Sequence, residues 1–230
     1  MSPTVFAAAT DVGRVRANNE DAWGAGDTLW VVADGMGGHA GGEIASRLAV
    51  DTVLSAAPAD EGALRDAFAA AHHAVVEAST GDLAGMGTTL VVAAREAGGE
   101  VVLGSVGDSR GYLWDGDALL RLTTDDNEAE VLLAEGAITA DQARTHPGQF
   151  FLTSSLGSWR GQPPEPHVLR VPAHAGRLLL CTDGLNGELD DPAIAASLAG
   201  GSAAEAAERL VVAAVDAGGR DNVTVLVIDL

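Results

Sequence analysis

Eight short apolar runs restrict the fold of this 230-residue chain more than any other feature of its sequence. They cover residues 5–9, 29–33, 88–94, 101–106, 111–114, 168–171, 177–181 and 223–228, and several are bounded by glycine or aspartate. Runs of this length between turn residues read as strands, and Asp115-Gly116 reads as a hairpin turn. Helical patterns are few by comparison. Leu64, Phe68, Ala71 and Val75 recur at helical spacing and predict an amphipathic helix over 61–79, after a first helix over 44–55. Two more are expected late, over 191–198 with Pro192 in the first turn and over 202–216, with shorter ones at 128–135 and 140–144. Helices paired early and late, with hairpin-style strands between, suit an α+β protein with antiparallel sheets better than a βαβ repeat. The polar stretch from about 127 to 150, with His146-Pro147, is the expected mobile flap of a single domain spanning 1–230.

Charge narrows the function. There are 33 acidic residues against 13 basic ones, every basic residue is arginine, and the formal charge is -20. Nucleic acid and anionic membranes both call for a basic surface, so neither is an expected partner. Without lysine there is no Schiff base and no P-loop lysine, so any phosphate must be met by arginine, a metal or backbone N–H groups. No apolar run reaches the roughly 18–20 residues of a membrane span, and the first residues lack the pattern of a secretory signal. A cytoplasmic monomer is the expectation. The one cysteine, Cys181, excludes an internal disulfide and reads as a core residue within an apolar run.

Four aspartates stand beside apolar strands: Asp34 in Asp34-Gly35-Met36-Gly37-Gly38-His39, Asp108 in Gly107-Asp108-Ser109-Arg110, Asp183 in Thr182-Asp183-Gly184, and Asp221 in Arg220-Asp221-Asn222. A fifth, Asp21, ends Asn19-Glu20-Asp21. Singly, each is ordinary turn or capping chemistry. If the strands share one core, however, their ends bring the carboxylates together, and such a group takes up protons unless cations intervene. Oxygen-only donors select magnesium, manganese or calcium over zinc, and glycine after Asp34 lets the backbone carbonyl turn inward as a ligand. Two such cations are a recurrent device for hydrolysing phosphate esters with an activated water. Arg16, five residues before Asp21, reads either as a bidentate phosphate grip or as a salt bridge to Glu20 or Asp21.

In order along the chain, the motif running from Thr10 to Asp21, Asp34-Gly35-Met36-Gly37-Gly38-His39, Gly87-Thr88-Thr89, Gly107-Asp108-Ser109-Arg110, Asp183-Gly184 and Asp221-Asn222-Val223-Thr224 resemble the motifs of the bacterial type 2C metal-dependent serine/threonine protein phosphatases. The resemblance implies two antiparallel sheets packed face to face with helices on both outer faces. It implies two core Mn2+ or Mg2+ ions, with Asp34 bridging both and the Gly35 carbonyl on one. Asp183 and Asp221 would bind the other, and Asp21 would hold metal-bound water. Arg16 would orient the phosphate, and Asp108 with Asp183 would form a weaker third site. His39 is either the acid that protonates the leaving alkoxide or a structural residue. Two departures stand out. Asn186-Gly187 replaces an aspartate often found two residues beyond the Asp183-Gly184-Leu185 run, and no arginine follows Thr153. Expected partners are phosphorylated proteins, either substrates of serine/threonine kinases or the kinases themselves. The same chemistry on a narrow regulatory substrate or a small phosphoester is the runner-up. A non-catalytic phosphoprotein-binding module of the same fold is the alternative from another class, and an acidic calcium-binding structural protein is a third.

Overall fold

The computed structural model describes residues 4–37, 40–157, 161–171 and 176–230. Strands β1 (Val5–Asp11), β2 (Asp21–Ala25) and β3 (Leu29–Met36) lead into helices α1 (Gly41–Ala56) and α2 (Glu61–Ala78). Five strands follow: β4 (Gly87–Thr88), β5 (Leu90–Arg95), β6 (Val101–Val106), β7 (Arg110–Trp114) and β8 (Leu119–Arg121). The short helices α3 (Glu128–Ala134) and α4 (Ala140–Ala143) precede β9 (His167–Val171) and β10 (Arg177–Cys181). Then come α5 (Asp183–Asn186), α6 (Asp191–Leu198), α7 (Ala203–Ala217) and β11 (Val223–Asp229).

The strands form two antiparallel sheets. One has the order β1-β11-β10-β7-β8, and the other β2-β3-β5-β6-β9 with β4 paired to β3. Alternation along the central strands explains the layering. In β10, Leu178 and Leu180 enter the core between the sheets with Trp30, Val32, Leu226 and Ile228. Leu179 and Cys181 point the other way, into a core shared with Ile194, Leu210 and Ala214 of α6 and α7. On the opposite outer face, Val31, Leu90 and Val92 pack under Val50, Leu64 and Phe68 of α1 and α2. Strands buried on both faces, such as β5, β6, β10 and β11, read as continuous apolar runs, which is why they were visible in the sequence. The expected four-layer α+β arrangement is the one observed.

The helix ends follow local chemistry. Asp60 caps α2 by accepting the Ala63 N–H at 2.9 Å. Ser202 and Glu205 form a reciprocal capping box at the start of α7. The expected strand over 88–94 is divided into β4 and β5, with Thr89 between them turned to the Asp34 backbone. Strand β2 was missed because its Asp-Ala-Trp-Gly-Ala sequence has no apolar run. Within the expected flap, 127–150, two short helices and a 3-10 turn at Pro147–Phe150 are formed.

Phe68 is fully buried, and a Cβ built on Gly104 of β6 would meet its ring at 3.0 Å, so helix and sheet are in direct contact there. Phe68→Ala should therefore lower unfolding stability by about 3–5 kcal/mol, measured by urea denaturation. A loss under about 1 kcal/mol would mean the helical layer is not tightly seated.

Candidate active site

Sheet register brings the first two carboxylates together, since Asp21 is the cross-strand partner of Asp34 in the β2–β3 pair. Neighbouring strands β10 and β11 supply two more, with Asp183 two residues after β10 ends and Asp221 two residues before β11 begins. Asp108 comes from the turn between β6 and β7. The five belong to one electrostatic cluster: Asp34 feels repulsion from Asp21, Asp183, Asp108 and Asp221. Arg16 reaches the same place and binds Asp221 at 2.6 Å. Its partner is thus Asp221, not the Glu20 or Asp21 that sequence proximity suggested. Asp34 and Gly35 lie inside β3 instead of following it, because Gly35 and Met36 remain paired with Thr88 and Gly87. His39 falls outside the described residues.

Backbone hydrogen bonds hold this arrangement. Thr89 Oγ1 accepts the Asp34 N–H at 2.9 Å, and the Asp34 carbonyl accepts from the Thr89 N–H and the Thr88 hydroxyl, both at 2.8 Å. The Gly35 N–H donates to the Glu20 carbonyl at 3.1 Å, and the Ser46 hydroxyl of α1 donates to the same oxygen at 2.6 Å. A side chain at Gly35 would collide with the Gly42 carbonyl at the start of α1, so only glycine lets the strand and helix backbones approach this closely. Below them the Thr182 hydroxyl donates to Asp21 Oδ2 at 2.9 Å and accepts the Thr224 N–H at 3.0 Å. This lattice ties β2, β10 and β11 together beneath the carboxylates.

Crowding and burial show in the acidities. Desolvation first, then the charges of Asp183 and Asp221, push Asp21 up to about 7 against the bonds from Thr224 and Thr182. Burial pushes Asp34 and Asp108 well up, with neighbouring carboxylates adding to it. Asp183 is raised by burial and by Asp221, while a hydrogen bond shared with Asp34 works against the rise. Oxygens Asp21 Oδ1 and Asp183 Oδ1 are buried without a hydrogen-bond partner. Hard oxygen donors, two of them orphaned, in a site that disfavours its own charge are what a divalent cation fits. Among the described residues, no three acidic, histidine or cysteine side chains are already arranged to hold an ion alone. The arginine on Asp221 occupies part of that role.

Other polar candidates are absorbed by structure. Ser109 is buried at 2.7 Å from the Thr89 hydroxyl, with no base beside it. Burial pushes the Cys181 thiol up to about 12, so it is an inert core residue. Arg110, next to the Asp108 turn, is held by both oxygens of Asp125 and by the Tyr112 hydroxyl. His72 of α2, which on sequence alone reads as an ordinary surface or helix residue, is buried, and its Nδ1 accepts the Gly157 N–H at 3.3 Å. Sequence reasoning gave no role to the supports: Asn222, Thr182, Thr224, Ser46 and the Thr88–Thr89 pair. All but Ser46 stand inside the motifs quoted from the sequence, which is the signal it carried.

The Protein phosphatase 2C family model matches residues 13–215. The serine/threonine protein phosphatase PstP of Mycobacterium tuberculosis is 41% identical over 233 residues, covering 98% of this chain but 45% of that protein. The chain therefore spans about half the length of this relative. A crystal structure of the mycobacterial phosphatase superposes with a TM-score of 0.92 at 39% identity, covering 99% of both chains. Another, of the PstP catalytic domain in complex with two manganese ions, gives 0.88 at 39% identity, covering 99% of this chain and 98% of that one.

Carboxylates whose pKa is raised bind more protons in the folded state than in the unfolded one, so their contribution to stability is complete below the ordinary value of 3.8 and is lost as pH rises through about 7. The chelated protein should accordingly melt at progressively lower temperature from about pH 5 to about pH 7.5, with a divalent cation restoring stability at the upper end. A flat or rising calorimetric profile over that window would contradict the clustered arrangement.

Proposed function

The chain belongs to the Protein phosphatase 2C family, and from that premise we propose that it hydrolyses phosphoserine and phosphothreonine on proteins, opposing serine/threonine kinases in the cytoplasm. One observation carries the reading. Five aspartates from separate elements converge with two orphaned oxygens beside an arginine in reach of the same site. The manganese ions of the mycobacterial relative support an Mn2+ or Mg2+ pair here.

Asp34 and the Gly35 carbonyl are assigned to one ion, Asp34, Asp183 and Asp221 to the other, and Asp21 to the water around them. Asp108, which shares an electrostatic neighbourhood with Asp183, is assigned to a weaker third position. Two bound cations supply Lewis acidity at phosphorus and lower the pKa of the attacking water. A cation on Asp221 would compete with Arg16 for that carboxylate, and an Arg16 released there would be able to grip the phosphoryl oxygens in bidentate fashion. Repulsion between carboxylates is relieved in the same exchange. His39 is assigned to the leaving alkoxide as acid. The 127–150 segment, rooted where Asp126 Oδ2 accepts the Gly107 N–H beside Asp108, is assigned as a flap over the substrate.

Manganese-dependent release of phosphate from phosphothreonine peptides, compared with a small phosphoester, tests the reading directly. Binding of phosphopeptides without turnover at any metal concentration would transfer support to a non-catalytic module. Arg16→Ala should raise KM about tenfold or more while lowering kcat less, because the guanidinium holds the phosphate of the ground state. A fall in kcat at constant KM would contradict its role. Asp34→Asn should abolish measurable turnover, whereas Asp108→Asn should leave an appreciable fraction, since Gly187 leaves the third position without the family's further carboxylate. Equal losses would refute the ranking of the two sites.

A further inference from the structure

Asn222 follows a proposed metal ligand and makes none of the contacts assigned to catalysis, yet its carboxamide makes three hydrogen bonds at the site. It is buried, at 4% exposure. Its Oδ1 accepts the Glu20 N–H at 2.8 Å, and its Nδ2 donates to the carbonyls of Val12 and Asn18, both at 2.9 Å. Its own N–H donates to Asp221 Oδ1 at 2.8 Å. The first three bonds join both ends of the segment that carries Arg16, and the fourth fixes the carboxylate that Arg16 meets.

That segment is otherwise held by scattered contacts. Residues 12–20 form no strand or helix, and Arg14 to Ala17 are exposed. The Arg14 N–H reaches the Gly219 carbonyl at 2.6 Å, and the Gly13 N–H bonds Asp11 Oδ1 at 2.8 Å. Past Arg16, the Asn222 carboxamide holds the chain through Asn18 and Glu20, and Asn19 adds a bond from its Nδ2 to Thr10 Oγ1 at 2.9 Å and one from the Asp21 N–H to its Oδ1 at 3.1 Å. Glu20 is in turn gripped at its carbonyl by Gly35 and Ser46, so the same clamp continues into the Asp34-Gly35 backbone.

We infer that Asn222 is a positioning residue for phosphate recognition, its carboxamide setting the Arg16 loop over the carboxylate centre. The side-chain type follows from the bonds. One acceptor and two donors in a single plane are needed, and an aspartate of the same shape has no donor for the two carbonyls. Buried carbonyls facing a carboxylate would push the loop outward and carry Arg16 with it. The inference rests on the phosphatase reading for the ligand, but its central measurement is binding, not turnover.

The test uses the manganese-loaded chain, with Asn222→Asp and the smaller Asn222→Ser, each at a temperature where it is folded. Inorganic phosphate affinity is measured by calorimetry, and kcat and KM on a phosphothreonine peptide. Asn222→Asp should weaken phosphate binding and raise KM by about tenfold while kcat changes by less than about threefold. Combined with Arg16→Ala it should add little to what Arg16→Ala does alone, because both act through one guanidinium. Additive effects, or unchanged phosphate affinity in Asn222→Asp, would overturn the assignment even if the enzyme is active. Conversely, a wild-type chain that hydrolyses nothing would sink the phosphatase reading, while phosphate binding lost in both Arg16→Ala and Asn222→Asp would still uphold the clamp. Phosphate binding indifferent to Arg16→Ala overturns it. Should neither Asn222 variant fold, the carboxamide is a folding element and the proposal falls.

Discussion

Carboxylates that repel one another, held together at the seam of two sheets, are the constraint around which the rest of this molecule is organised. Nothing in that cluster is favourable by itself. Burial alone raises the pKa of Asp21, Asp34, Asp108 and Asp183, and their mutual charge raises it further. The fold therefore has to supply the opposing free energy elsewhere, and it does so in the apolar layers. Leu178, Leu180, Trp30 and Val32 close the interior between the sheets, and each sheet is sealed by a helical pair on its outer face. A cluster on a single sheet would relax by splaying. Here it is drawn from both sheets, so separating the charges means separating the layers.

Precision within that frame comes from backbone hydrogen bonds more than from the carboxylates' own contacts. The Asp34 peptide is gripped by Thr88 and Thr89, Glu20 by Gly35, Ser46 and Asn222, and the ends of β10 and β11 by Thr182 and Thr224. Small polar residues suit this work because their hydroxyl or amide groups reach a neighbouring strand without filling the space above it. The carboxylates are left with open lone pairs, which an ion can use.

How much of this was legible in the sequence depended on whether the signal was local. Helices α1, α2, α6 and α7 and most of the strands announce themselves by periodicity, and their observed ends differ from the expected ones by a few residues. Asp34, Asp108, Asp183 and Asp221 could be singled out because each adjoins an apolar run. Strand β2 could not, since its pairing comes from β3 and its only apolar residues are alanine and an exposed tryptophan. For the same reason the Asp21–Asp34 pairing was invisible, being a property of register. The Arg16–Asp221 ion pair joins residues 205 positions apart, and proximity in the chain pointed instead to Glu20 or Asp21. His72 shows the opposite failure. A histidine on a helix looks solvated until the 157 loop is seen to cover it.

The charge of the whole chain bears on how the proposed site would meet its substrate. A phosphate ester carries up to two negative charges, and it approaches a protein of net charge -20 at a point where five aspartates meet. Of the arginines near that point, Arg110 is held by Asp125 and Tyr112, and Arg220 by Glu188. Arg16 is already neutralised by Asp221. Among the described residues these three arginines are therefore engaged by carboxylates, while Arg47, which shares a pocket with Asp21, makes no ion pair. On the proposed reading, bound cations would change the sign of the local potential and compete with Arg16 for Asp221. The arginine assigned to phosphate recognition is thus, in the uncompensated site, the counter-ion of a carboxylate assigned to the metal.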